Sequence, residues 1–262
     1  MIDIHTHLLP ACDDGSTDFE TSLRQLKLMA EAGVTDVVLT PHYLRNQYHN
    51  TRERILPVFH ELANTIKEKA IPIILHLGAE VYIDQDVQND IISDKLMIND
   101  TNYVLVETGM NDFPPHFLDA LFQIVRNGFT PVLAHPERYS PIMENIKLAE
   151  DLLHRNVLMQ INIGSLTGGY GRKAEKTAWK LLDKGYAHFL ASDNHGKRDD
   201  YPYIKTLDSI RAKFDDYFVS LLTEIHPRKL LNNEKIEVFY MEKVEIELTP
   251  WERLKEFFFK RN

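Results

Sequence analysis

The chain is poor in several things, and each shortage narrows what it can be. It carries one cysteine, Cys12, in 262 residues. No internal disulfide can form, and a reducing, cytoplasmic setting is expected. It holds no run of roughly eighteen apolar residues, so no membrane span is expected. The N-terminus lacks the basic region and apolar stretch of a secretory signal. Repeats, low-complexity tracts and Gly/Ser linkers are missing, which favours one domain. Positive charge is also short: 30 Lys and Arg face 39 Asp and Glu, for a net charge of −9. A nucleic-acid partner normally needs a basic stripe, so none is expected. A small anion bound through metals stays compatible with that balance.

What is present is an alternation of short β-branched runs with amphipathic helices, the pattern of parallel strands joined by helical crossovers. Seven strands are expected, at Ile2–His5, Asp36–Thr40, Ile73–Leu77, Tyr103–Val106, Pro131–Ala134, Val157–Ile161 and His188–Ala191. Between them, apolar residues keep helical spacing, as in Phe19, Leu23, Leu26 and Ala30, with Thr17 and Glu20 as a capping box and Gly33 as the stop. The economical arrangement is α/β, a single-domain, closed or nearly closed (β/α) barrel of TIM-like type, with its site at the C-terminal strand ends. A doubly wound open sheet is the alternative. The domain is expected over residues 1–240, with 241–262 as an extension.

The strand ends carry the strongest signal. His5 and His7 close the first strand, and alternate residues of a strand face one side. His42 follows the second, Glu80 the third, Glu107 the fourth and His135 the fifth, while Asp193 and His195 follow the seventh. Imidazole with carboxylate is the ligand set of a catalytic divalent metal, and scattered surface histidines would not respect strand ends. Arg138, three residues beyond His135, suits a phosphate clamp, because a guanidinium fork matches two phosphate oxygens. Cys12 does not suit a thiol phosphatase: the arginine such an enzyme needs six residues on is here Asp18, which would repel phosphate.

The ordered set Asp3-Ile4-His5-Thr6-His7, Asp13-Asp14-Gly15, Thr40-Pro41-His42, Gly78-Ala79-Glu80, Val106-Glu107, Ala134-His135-Pro136-Glu137-Arg138 and Ala191-Ser192-Asp193-Asn194-His195 resembles the polymerase-and-histidinol-phosphatase (PHP) superfamily. Within it, the match is to the metal-dependent bacterial tyrosine-protein phosphatases of capsular and exopolysaccharide operons. The resemblance implies a distorted seven-stranded (β/α) barrel holding three divalent cations, with manganese expected and iron or zinc as alternatives. It implies one cation on His5, His7, Glu80 and Asp193, a second on Glu80, Glu107 and His135, and a third on Asp14, His42 and His195. It further implies a phosphotyrosine protein substrate, the tail of a bacterial tyrosine kinase.

Both lines of reading lead to metal-assisted hydrolysis of a phosphomonoester, in which cations lower the pKa of a water and hold the charge of the transition state. Arg138, His42 and Asp193 are assigned to catalysis. Arg138, Tyr43 and Arg172 are assigned to substrate binding, the last two as rim residues. His76 is a candidate for supporting a ligand from behind. The sequence at 249–262 reads as an amphipathic helix that docks on the barrel or makes peripheral contact with a membrane or partner. A small-molecule phosphatase such as histidinol phosphatase is the alternative activity. A nuclease and an inert metal-binding scaffold are weaker readings.

Overall fold

The structure, a computed structural model, describes residues 1–237. The expected extension and helix at 241–262 lie outside the described residues. Strands and helices alternate as β1 (Ile2–Thr6), α1 (Phe19–Glu31), β2 (Asp36–Leu39), β3 (His42–Tyr43), α2 (Arg52–Glu68), β4 (Ile74–Leu77), β5 (Glu80–Tyr82) and α3 (Val87–Ser93). They continue as β6 (Tyr103–Glu107), α4 (Phe117–Arg126), β7 (Thr130–Ala134), α5 (Ser140–Glu144), α6 (Lys147–Leu153), β8 (Leu158–Asn162) and α7 (Arg172–Asp183). Last come β9 (Phe189–Ala191), α8 (Tyr203–Lys213), α9 (Asp216–Ser220) and α10 (His226–Leu231).

The strands pair in parallel throughout, in a three-stranded sheet ordered β1-β2-β4 and a six-stranded sheet ordered β3-β5-β6-β7-β8-β9. The parallel α/β architecture is as expected; one continuous seven-stranded barrel is not formed. The second and third expected strands are each followed, after a break, by a further short strand, β3 and β5. Pro41 has no N–H to give to a ladder. At Gly78 the backbone runs so close to Ile98 that a Cβ would stand 3.1 Å from its Cγ1. Beyond these breaks, β3 and β5 join the second sheet. An isolated bridge between Thr6 and Asn194 ties β1 to the segment after β9, with the His7 N–H donating to Asn194 O at 2.9 Å.

The helix ends follow local chemistry. The cap of α1 is Asp18, not Thr17: its carboxylate accepts the Thr21 N–H at 2.8 Å, and the Thr17 hydroxyl donates to that same side chain. Asp18 stands directly before the first helical residue, where a cap must stand. Gly33 ends the helix with φ +86°, as a left-handed stop does. Ile2, Ile4, Leu105, Val132, Ala134, Phe189 and Ala191 form a fully buried cluster on one face of the strands. This packing makes the strand ends rigid platforms.

One buried group makes the fold acid-sensitive. Burial, and then the neighbouring His226, push His188 down to about 3, while its Nδ1 accepts the Met159 N–H at 3.2 Å. The ring is neutral when folded and titrates near 6.5 when unfolded. Its contribution to stability is therefore complete above pH 6.5 and is lost as pH falls towards 3, at up to ~1.4 kcal/mol per pH unit. His188→Asn keeps an acceptor without the titration. Urea unfolding at stepwise pH should show a shallower acid limb for the variant than for the parent; equal slopes would remove His188 as a cause.

Candidate metal centre

The strand ends bring their polar residues to one place. The Nε2 atoms of His5 and His7 stand 3.1 Å apart. Glu80 Oε2 lies 3.2 Å from each of them and 3.1 Å from His42 Nδ1. Its other oxygen is 3.0 Å from His135 Nε2. Asp193 Oδ1 is 3.4 Å from His5, His7 and His195 nitrogens, and Asp14 Oδ1 is 3.5 Å from both His42 and His195. Glu107 Oε1 is 2.8 Å from His42 Nδ1. All nine expected ligands are thus gathered around Glu80 and Asp193.

These contacts sort into three groups whose ligand atoms lie within 4.8 Å of one another: His7, Asp14, His42 and His195; His5, His7 and Asp193; and His42, Glu80 and Glu107. The grouping differs from the expected one: Glu80 joins one group where it was expected to bridge two, and His135 falls in none. His42 stands with Glu80 and Glu107, where His135 was expected, because its Nδ1 is within hydrogen-bond distance of Glu107. His7 serves two groups.

The donor set fits divalent cations. Glu80 Oε2 is buried without a hydrogen-bond partner although three imidazole nitrogens surround it. Lone pairs converging on a point that no protein group occupies are what a cation requires. The electrostatics agree. Burial opposes charging His5, yet Glu80 and Asp193 outweigh it and lift the ring to about 9. Burial likewise opposes ionising Glu80, and the imidazoles around it, His5 first, hold it well below the usual carboxylate range. A cation satisfies the same negative field.

The outer layer is as organised as the inner one. His7 Nδ1 meets Asp13 Oδ2 at 2.7 Å, and Asp13 also accepts the His42 and Gly15 N–H groups. His5 Nδ1 meets Gln160 Oε1 at 2.7 Å. Gln160 donates to Asn162 Oδ1, and Asn162 donates to Asp193 Oδ2 at 2.7 Å. Such partners fix the tautomer and aim Nε2 inwards. β8, the strand whose end brings no ligand, therefore supplies the support. Reading the sequence missed Gln160 and Asn162; their only signal was period-two alternation with the buried Leu158. Asp13 was seen as part of a motif, but its role was not.

The backbone is shaped to this purpose. His135 (φ +37°) and Asp193 (φ +53°) adopt left-handed conformations that non-glycine residues rarely take. Gly15 lies against His7: a Cβ would fall 2.0 Å from its carbonyl oxygen. Gly15→Ala must therefore displace either the Asp13–Asp14 turn or His7. A ~10- to 100-fold loss of metal affinity is expected, the usual effect of disturbing a ligand's support, to be read by calorimetric titration. Unchanged affinity would show that the turn relaxes freely.

A cavity of about 480 Å³ opens over the cluster, lined among others by Arg138, Tyr170, Lys197, Arg198 and Tyr203. Arg138 Nη1 donates to Asp193 Oδ2 at 3.2 Å, and its guanidinium lies 4.2 Å from the centre of the Tyr170 ring. The Tyr170 hydroxyl reaches the same Asp193 oxygen at 3.3 Å. Two rim assignments need correction. Tyr43 is 2% exposed within the core and donates to Asp94, so it cannot meet substrate. Arg172, the first residue of α7, lines a separate depression beside Trp179; Tyr170, two residues earlier, takes the rim position. His76 faces Asp36 and Asn99 and supports no ligand. Cys12 has its thiol pushed up to about 11 by burial, then by Asp13, which is wrong for a nucleophile.

A family model described as "Capsular polysaccharide synthesis, CpsB/CapC" matches residues 1–232. The chain is 33% identical over 238 residues to the putative tyrosine-protein phosphatase CapC of Staphylococcus aureus, covering 90% of this chain and 93% of that one. It is 31% identical, with the same coverage, to the tyrosine-protein phosphatase YwqE of Bacillus subtilis. Among solved structures it resembles, with a TM-score of 0.85 and 30% identity over 90% of this chain and 96% of the other, a chain from the crystal structures of YwqE from Bacillus subtilis and CpsB from Streptococcus pneumoniae, described there as unique metal-dependent tyrosine phosphatases. Histidinol phosphate phosphatase of Lactococcus lactis shares the fold, with a TM-score of 0.53 and 17% identity over 81% of this chain and 92% of that one.

Proposed function

The chain belongs to the CpsB/CapC family of capsular polysaccharide synthesis, and we propose that it is a metal-dependent protein-tyrosine phosphatase. Its substrate on this reading is a phosphotyrosine in the tail of a bacterial tyrosine kinase. The observation that carries the proposal is the convergence of nine metal-type side chains beneath a cavity walled by Arg138.

Three divalent cations, manganese first among them, would be shared among His5, His7, Asp14, His42, Glu80, Glu107, His135, Asp193 and His195. When bound, they supply a water acidic enough to ionise near neutral pH and neutralise charge on the phosphoryl oxygens. The chain's own residues do the rest. Arg138 grips two phosphate oxygens as a fork. Asp193 holds that arginine in place through the 3.2 Å contact. Tyr170 and Tyr203 wall the mouth with aromatic surface suited to a phenyl ring. The leaving phenolate has a conjugate pKa of about 10, so little general-acid help is needed.

A panel of phosphotyrosine peptide, histidinol phosphate and single-stranded DNA, each with and without manganese, tests the reading. The expected result is manganese-dependent hydrolysis of the peptide well above the other two. Preference for histidinol phosphate would transfer the function to small molecules, and DNA cleavage would make it a nuclease.

A further inference from the structure

The cavity over the metal centre does not end at its aromatic wall. A second chamber, of about 520 Å³, adjoins it and shares Tyr170, Arg198 and Tyr203 with it. The two chambers meet at these three side chains. Gly164 lines this second chamber beside the two rings: a Cβ there would stand 3.5 Å from the Tyr170 ring and 3.6 Å from the Tyr203 ring, in ordinary van der Waals contact with both. Gly169, whose N–H donates to Gly164 O at 3.0 Å, keeps the backbone on the same side bare. Beyond it stand the exposed ammonium of Lys205 and the hydroxyl of Ser209.

The charge of this chamber is unlike that of the chain. The protein carries nine more acids than bases, yet among the described residues lining the chamber none is acidic and two, Arg198 and Lys205, are cationic. Arg198 is engaged by Asp200 at 2.9 Å. Lys205 makes no ion pair among those of the described residues. A lysine beside bare backbone, in a chamber that shares Tyr170, Arg198 and Tyr203 with the reaction cavity, is placed to receive chain that extends from a bound residue.

We propose that this second chamber is a subsite for the polypeptide flanking the phosphotyrosine, selecting an acidic side chain on that flank through Lys205. The inference rests on the phosphatase reading. Peptide backbone would pass over the shared Tyr170 and Tyr203 side chains into the second chamber, and the flanking carboxylate would meet the Lys205 ammonium. A small aryl phosphate fills only the first chamber and is blind to Lys205.

The test uses the full chain loaded with manganese. The probes are p-nitrophenyl phosphate and three phosphotyrosine peptides that carry Glu, Ala or Lys on either side of the modified residue. Wild type should favour the Glu peptide over the Ala peptide by roughly five-fold in kcat/KM, the scale of one solvent-exposed ion pair, with the gap narrowing at high salt. Lys205→Glu should reverse the order between Glu and Lys peptides while leaving p-nitrophenyl phosphate turnover unchanged. Lys205→Met should erase the preference without reversing it. Peptide hydrolysis indifferent to the flanking residue, or an equal fall on peptides and p-nitrophenyl phosphate, would overturn the subsite and leave the phosphatase standing. Failure of wild type on every phosphate ester would overturn both.

Discussion

Glu80→Gln is expected to strip the protein of bound metal and to lower phosphotyrosine hydrolysis by ~10³-fold or more, the scale of losing several kcal/mol of charge stabilisation. The carboxylate is 1% exposed and its two oxygens face four imidazoles, those of His5, His7, His42 and His135, at 3.0–3.2 Å. Glutamine keeps the shape and one acceptor but loses the negative charge. Its amide also turns donor hydrogens towards the place a cation would hold. No other carboxylate touches so many ligands, so no neighbour can compensate. Metal content by mass spectrometry, with circular dichroism to show an intact fold, reads the effect. A folded Glu80→Gln protein with full metal and full turnover would remove Glu80 from the centre.

Arg138→Ala is expected to behave differently. Its guanidinium lies in the cavity between Asp193 and the Tyr170 ring rather than among the ligands. Metal content should stay unchanged while kcat/KM falls ~10²-fold, the usual cost of losing one preorganised donor to transition-state charge. Arg138→Lys should recover only part of that, because an ammonium cannot offer the paired donors of a guanidinium. The contrast between the two variants separates holding the metals from holding the phosphate. Unchanged kinetics in Arg138→Ala would place the residue outside the reaction.

How much of this was legible beforehand follows from the physics of each part. His5, His7, Glu80, His135 and Asp193 were readable because ligand chemistry recurs at strand ends, and strand ends follow from hydrophobic pattern. The short strands beyond Pro41 and Gly78 were not, since β3 and β5 form by pairing with each other and with β6, a strand farther along the chain. Tyr43 misled because a tyrosine beside a ligand histidine looks like a rim residue; burial against Asp94 is a tertiary fact. Gln160 and Asn162 stayed hidden because amides within an apolar strand carry no motif, and their meaning lies in what they touch. The shift from Arg172 to Tyr170 turned on the loop through Gly168–Gly171, whose left-handed glycines set which side chain faces the cavity.

The most direct measurement is to strip the purified protein with a chelator, return manganese in steps, and record bound metal by mass spectrometry alongside hydrolysis of a phosphotyrosine peptide. The account predicts that activity disappears with the metal and returns in proportion to it, levelling off at about three ions per chain. A metal-free protein that still hydrolyses the peptide at its original rate, or a reconstituted one that retains no ions, would contradict it.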